Sequence, residues 1–288
     1  MSSLPLLTIT MPLDPVAFRV GGLEITWHGL LAALGVVVGV VVAVHLATRA
    51  GFSPDQANNV ALALVIGGII GARALYVVEH LDFFVDNPGQ IFRIDAGGIS
   101  IFGALAGGAL GAWLYARLAG LTNKLRAGDA AAVGAMIGMA VGRVGDIING
   151  EHFAKATSLP WGIRYTDPQS PSYIRFGADY VQHPAVAYDM LGGLAIFLLL
   201  LFLFHRVPRP GITLFTWIFL YAGMRLGLGF LRLDETRVDG LSVPQVIALG
   251  VMPIALAVLV YLMRTPYRGP SRAERRRLLR MQRRHPTP

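Results

Sequence analysis

The sequence predicts an all-α integral membrane protein, a bundle of seven transmembrane helices carrying a small extracytoplasmic cap. Three observations predict it. Of the 288 residues 54% are hydrophobic and 15% charged, whereas about a quarter of a soluble domain's residues are charged. Apolar runs recur at the length a bilayer demands, roughly 20 residues each. Lys and Arg are in excess on alternate connections, the bias that marks cytoplasmic loops.

In order, the spans read near 28–49, 57–77, 97–118, 128–148, 184–205, 211–231 and 241–263. Arg49 follows the first, Arg117, Lys124 and Arg126 the third, Arg206 and Arg209 the fifth, and nine arginines run from Arg264 to Arg284 after the seventh. Those segments are expected in the cytoplasm. The N-terminal segment 1–27, the 78–96 loop with Glu79, Asp82, Asp86 and Asp95, the cap at about 149–183 and the 232–240 loop are expected outside. The domains are therefore an extracytoplasmic segment 1–27, a seven-span domain 28–263 and a basic cytoplasmic tail 264–288. An odd number of spans agrees with termini on opposite sides.

The net charge of +8 is mostly that tail, so it is no nucleic-acid signal. Ser271 and Glu274 have the spacing of a helix capping box, and Arg275 to Arg284 would follow as a surface helix beside anionic headgroups. Residues 1–27 lack the charged and apolar regions of a cleavable signal peptide, so the first span is expected to stay as an anchor. With no cysteine present, disulfides, a thiolate nucleophile and Cys-based metal sites are excluded, and any reacting sulfur must arrive with a substrate. A retinal protein would need a lysine in its last span, but Lys124 and Lys155 are the only lysines.

Charge at the ends of apolar spans carries the chemistry. Arg143 and Asp146 sit in Gly142–Glu151, where an arginine or aspartate near a helix centre costs about 2.5–3.5 kcal/mol and so is expected to face a protein interior. They are three residues apart, on one helical face, with Asn149 and Glu151 beyond them if the helix persists. Arg73 closes the second span. Arg225 lies in the sixth, and Arg232, seven residues on, would return to its face. His183 precedes Pro184 at the start of the fifth span, with Tyr188 and Asp189 within two turns. His28 heads the first, beside Trp27.

Arginines converging at one depth suit an anion, and phosphate matches the guanidinium fork. A phospholipid headgroup is the phosphate available there. The competing account pairs Arg73, Arg143, Arg225 and Arg232 with Glu79, Asp146, Glu151 and Asp234 or Asp239. Glycines at 67–71, 97–98 and 103–108 read as close helix packing. Ser100 lacks the Gly-x-Ser-x-Gly elbow of a nucleophile.

These residues resemble one family, the bacterial prolipoprotein diacylglyceryl transferases. The resemblance runs through Asp14–Phe18, Trp27–Leu30, Gly71–Arg73 and Gly97–Ser100 to Gly142–Glu151. It continues with Trp161-Gly162, His183-Pro184, Tyr188-Asp189, and Tyr221 followed by Arg225 and Arg232. It implies a bacterial inner-membrane enzyme that moves the diacylglyceryl group of phosphatidylglycerol to the lipobox cysteine of a prolipoprotein, releasing glycerol phosphate. It implies no cofactor, no metal and no nucleic-acid partner. Arg143 and Arg225 match the family's phosphate-contacting positions, with Arg73 and Arg232 as further candidates. His28, Asp146 and Glu151 are the candidates for catalysis, and Asn149, His183 and Tyr188 for support.

The chain also departs from the family pattern. Phe102 stands where His is usual, Asp146 where Asn is, Gly229 where Glu is, and His28 where Tyr is. The expectation is retained transfer, with His28 or Asp146 taking the thiol proton. The alternatives are a lipid-binding protein of the same fold whose transfer is lost or changed, and an anion transporter, for which neither paired broken spans nor an inverted repeat is present.

Overall fold

The computed structural model describes residues 8–93, 97–233 and 237–267. In chain order its elements are β1 (Ile9–Met11), β2 (Val16–Val20), β3 (Leu23–Thr26), α1 (Trp27–Arg49), α2 (Pro54–Glu79), α3 (Leu81–Asp86), a 3₁₀ turn (Pro88–Phe92), α4 (Ile101–Leu118), α5 (Lys124–Asn149), β4 (Ile163–Tyr165), α6 (Pro171–Phe176), α7 (Ala185–Arg206), α8 (Ile212–Leu228), β5 (Arg237–Val238), β6 (Leu241–Ser242) and α9 (Val243–Arg264). Six helices, α1, α2, α4, α5, α7 and α9, are long and apolar enough to span a membrane; α8 is apolar but has 17 residues. At 1.5 Å per residue α8 is roughly 25 Å long, the lower end of what crosses a bilayer. The expected tail helix at Arg275–Arg284, with Asp95 and Asp234, lies outside the described residues.

Large apolar side chains such as Val37, Ile70, Leu110, Leu198 and Ile254 are exposed along the spans. That suits a protein whose solvent is lipid. The described residues separate into two compact units, 43–127 and 8–42 with 128–267.

In the 43–127 unit, α2 starts from a reciprocal cap: Gln56 N–H donates to Ser53 Oγ at 3.1 Å, and Ser53 N–H donates to Gln56 Oε1 at 3.1 Å. The helix then meets α4 along glycines. A Cβ on Gly71 would stand 2.7 Å from Gly107 Cα, and one on Gly67 3.2 Å from Gly111 Cα. Only small residues allow backbones this close. The third span begins at Ile101, later than the 97 expected, because Gly97 and Gly98 have φ of +80° and +79° and so stand outside the helix.

In the other unit α1 packs on α5 by the same device, with a Cβ on Gly39 falling 2.8 Å from the Gly134 carbonyl oxygen. Met136 and Val133 of α5 and Leu200 of α7 are fully buried. The buried Asp129 carboxylate accepts the N–H groups of Gly211 at 3.0 Å and Leu214 at 2.9 Å, holding the chain that enters α8. The cap is built from extended segments: β1 pairs in parallel with β4, and bridges join Ile163 to Gln182, Gln182 to Ala156 and Ala154 to Arg232.

Candidate active site

Glycine again decides what meets what. A Cβ on Gly145 of α5 would lie 2.7 Å from the Trp27 carbonyl oxygen and 2.9 Å from His28 Cα. With hydrogen there instead, the head of α1 sits directly on α5, and the next residue, Asp146, meets His28. His28 Nδ1 makes a close contact with Asp146 Oδ1. Arg143 Nη1 donates to Asp146 Oδ2 at 2.5 Å, and His152 Nε2 stands 3.5 Å from the same oxygen.

On its other side Arg143 reaches α7. Its Nη2 is 2.8 Å from Asp189 Oδ2, and Arg225 Nη1 of α8 is 3.5 Å from that same oxygen. Two guanidinium groups from separate spans thus converge on one carboxylate. Tyr221, one turn before Arg225, lies close to Arg143. Guanidiniums held this way are oriented before any ligand arrives.

Glu151 enters from outside the helix. Glu151 would share the face of Arg143 only if α5 persisted, but Gly150 takes φ +71° and ends it, and a Cβ there would strike Ser170 Oγ at 2.5 Å. The turn swings Glu151 back, so that Oε1 lies 3.3 Å from His28 Nδ1 while Oε2 accepts from Asn149 Nδ2 at 3.0 Å. The cluster is closed on one side and open on the other: the Asp146 and Asp189 side chains are 5% and 2% exposed, those of His28 and Glu151 43% and 36%. Above it, the Tyr165 hydroxyl donates to the Ile147 carbonyl at 2.9 Å. Burial first, and then the nearby Asp146 charge, push that hydroxyl's pKa far up, so it remains a donor.

His28, Asp146 and Glu151 offer ligand atoms within 4.8 Å of one another. Asp146 Oδ2 is nevertheless already taken by Arg143, and a cation there would stand beside the guanidiniums. The donor set fits a hydrogen-bonded acid–base cluster better than a metal site.

The remaining candidates divide. Arg73 does not present its head to a ligand: it is 9% exposed, with Nε on the Ile91 carbonyl at 2.8 Å, Nη1 on those of Gly97 and Gly98 at 2.9 and 2.7 Å, and Nη2 on that of Gln90 at 2.5 Å. Glu79, offered as its partner, instead accepts from Ser100 Oγ at 3.1 Å. Arg232 is not on the face of Arg225, because α8 ends at Leu228 and Arg232 lies on the extended segment bridged to Ala154. Pro184 takes the N-cap of α7, and His183 Nδ1 is buried without a hydrogen-bond partner among the described residues. Tyr188 accepts from Trp161 Nε1 at 2.8 Å. Phe102 occupies the first turn of α4.

At Gly229 a Cβ would lie 2.5 Å from Gln245 Cδ, and Gln245 Nε2 donates to the Leu226 carbonyl at 3.0 Å. The room of a longer side chain is filled by α9's glutamine.

Asp189 and His152 are the site residues that sequence reading did not select. An aspartate in an otherwise apolar span was the available signal for Asp189. Nothing local marks His152.

The profile of the family described as prolipoprotein diacylglyceryl transferase matches residues 15–261. Relatives named phosphatidylglycerol–prolipoprotein diacylglyceryl transferase include that of Clostridioides difficile, 34% identical over 238 residues, covering 82% of this chain and 90% of the relative. That of Dehalococcoides mccartyi is 31% identical over 252 residues, covering 87% and 94%. That of Nostoc sp. is 34% identical over 267 residues, covering 90% and 93%.

Proposed function

The chain belongs to the prolipoprotein diacylglyceryl transferase family, and we propose that its transfer reaction runs at the cluster of His28, Arg143, Asp146, Asp189 and Arg225. It is a multi-pass transferase of the bacterial inner membrane. It moves the diacylglyceryl group of phosphatidylglycerol to the lipobox cysteine thiol of a prolipoprotein, the first step of lipoprotein maturation. The N-terminus lies outside and the C-terminus in the cytoplasm, as the distribution of Lys and Arg argues.

The observation that carries the assignment is the convergence of Arg143 and Arg225 on Asp189 beside the His28–Asp146 pair. Asp146 accepts from Arg143 and acts as a carboxylate, so the His28 Nδ1–H donates to it and the lone pair rests on Nε2. That nitrogen belongs to the more exposed side chain of the pair. It takes the substrate thiol's proton, and a histidine suits a thiol of pKa about 8.5. Sulfur attacks the glyceryl carbon, the C–O bond to phosphate breaks, and the electron pair leaves with glycerol phosphate. Charge grows on the departing oxygen, where Arg143 and Arg225 stabilise the transition state beyond the ground state. Glu151 steadies His28 at the same Nδ1, and Asn149 steadies Glu151. The His28–Asp146 pair supplies the acid–base capacity that Phe102 lacks.

Membranes containing the protein are expected to transfer labelled diacylglyceryl from phosphatidylglycerol to a lipobox peptide. With His28→Phe the rate is expected to fall about 10²-fold or more. An unchanged rate and pH profile would remove His28 from the chemistry.

A further inference from the structure

Arg232 is 3% exposed, and its Nη2 lies 2.9 Å from His152 Nδ1. The fold makes this pair. Leu233 N–H donates to the Phe153 carbonyl at 2.9 Å and Lys155 N–H to the Leu231 carbonyl at 2.8 Å, which sets Arg232 opposite Ala154 and next to His152.

A guanidinium nitrogen can only donate. His152 Nδ1 is therefore the acceptor, and the ring proton of the neutral imidazole is on Nε2. That nitrogen faces Asp146 Oδ2 at 3.5 Å, the oxygen that also accepts from Arg143. Oδ2 thus accepts from Arg143 with His152 Nε2 at ion-pair distance on another side, and Oδ1 faces His28.

We infer that Arg232 acts on the reaction through His152, selecting the tautomer that pins Asp146 and so aims His28; both are positioning residues, and Arg232 is not a ligand of the lipid phosphate. The inference rests on the transferase reading above, and it assigns Arg232 a role different from that of Arg143 and Arg225. A buried guanidinium donating to an imidazole leaves that ring uncharged, so the relay works by orientation and not by adding charge to the site.

The test uses the full-length protein in phosphatidylglycerol vesicles with a lipobox peptide. His152→Phe and Arg232→Gln are each expected to lower kcat about tenfold, the scale of one hydrogen bond, with KM for phosphatidylglycerol unchanged. His152→Gln, whose carboxamide can donate to Asp146, is expected to recover most of the rate. The double variant Arg232→Gln, His152→Phe should be no slower than His152→Phe alone, because the two act in series. A raised KM for the lipid in Arg232→Gln, or multiplying losses in the double variant, overturns the inference in favour of a phosphate contact.

A readout independent of turnover keeps the two proposals apart. With histidine ¹⁵N-labelled, the His152 signal should report the Nε2–H tautomer in the parent and a mixture in Arg232→Gln. A parent found as the Nδ1–H tautomer refutes the relay even if transfer is intact. A parent with the expected tautomer but no transfer leaves the relay standing and sinks the functional reading.

Discussion

Two arginines near the ends of glycine-lined spans, Arg73 buried and Arg143 half-buried, separate what holds this protein together from what it is proposed to use. Arg73 donates to four backbone carbonyls, of Gln90, Ile91, Gly97 and Gly98, and lies over the rings of Tyr76 and Phe84 at 5.6 and 5.3 Å. Arg143 donates instead to the carboxylate of Asp146 and forms an ion pair with that of Asp189 on a different helix, with Arg225 at the second. Carbonyls are fixed by the fold and satisfy an arginine permanently. Carboxylates orient it, and a second guanidinium on the same oxygen adds positive charge that the proposed anion would meet. On the proposed reading, the partner more than the burial tells a structural arginine from a working one.

The largest effect that could break this contrast is expected at Arg143. Arg143→Ala should lower transfer per folded molecule about 10²–10³-fold, the range for losing one donor to a developing oxyanion, alongside a fall in melting temperature because the buried Asp146 and Asp189 carboxylates lose their partner. Arg143→Lys should not restore it, because an ammonium cannot span both carboxylates. A fall in melting temperature with transfer per folded molecule intact would make Arg143 another Arg73.

Arg73→Met tests the opposite half. It leaves buried carbonyls without a donor, at about 1–3 kcal/mol, so melting temperature should fall while activity per folded molecule survives. A stable protein with raised KM for phosphatidylglycerol would return Arg73 to the lipid site.

Asp189→Asn sharpens the comparison further. It keeps the shape but removes the charge on which two guanidiniums converge, and about a tenfold loss of kcat is expected from misaligned forks. Full activity would mean that the convergence is not needed.

The smallest and most discriminating difference is between two glycines. Gly71→Ala places a Cβ 2.7 Å from Gly107 Cα and should cost about 1–3 kcal/mol of stability. Gly145→Ala places one 2.9 Å from His28 Cα, and should cost several-fold in rate through the displaced histidine. If both register only as stability, the contact at Gly145 is packing alone.

Much of this architecture is legible in the order of residues along the chain. The apolar runs fall on the helices within a few residues, the 142–151 string holds Arg143 and Asp146 on one face of α5, and the Gly-rich stretches pack helix on helix. The pattern misleads where a helix stops sooner than its hydropathy. Gly150 turns Glu151 off the α5 face, and the end of α8 at Leu228 sends Arg232 to the cap. Hydropathy measures burial in lipid or protein and is blind to the φ value of one glycine.

By itself the sequence determined that this chain crosses a membrane, which residue types its buried ends carry, and which family's motifs they form, because hydropathy and helical spacing are properties of neighbours along the chain. Only the tertiary structure decided that Arg143 and Arg225 share Asp189, that His28 meets Asp146, that Arg73 is taken by carbonyls and that Arg232 faces His152. Those pairings join residues tens to more than a hundred positions apart, and they depend on how closely glycine lets one backbone approach another, a distance no local pattern encodes.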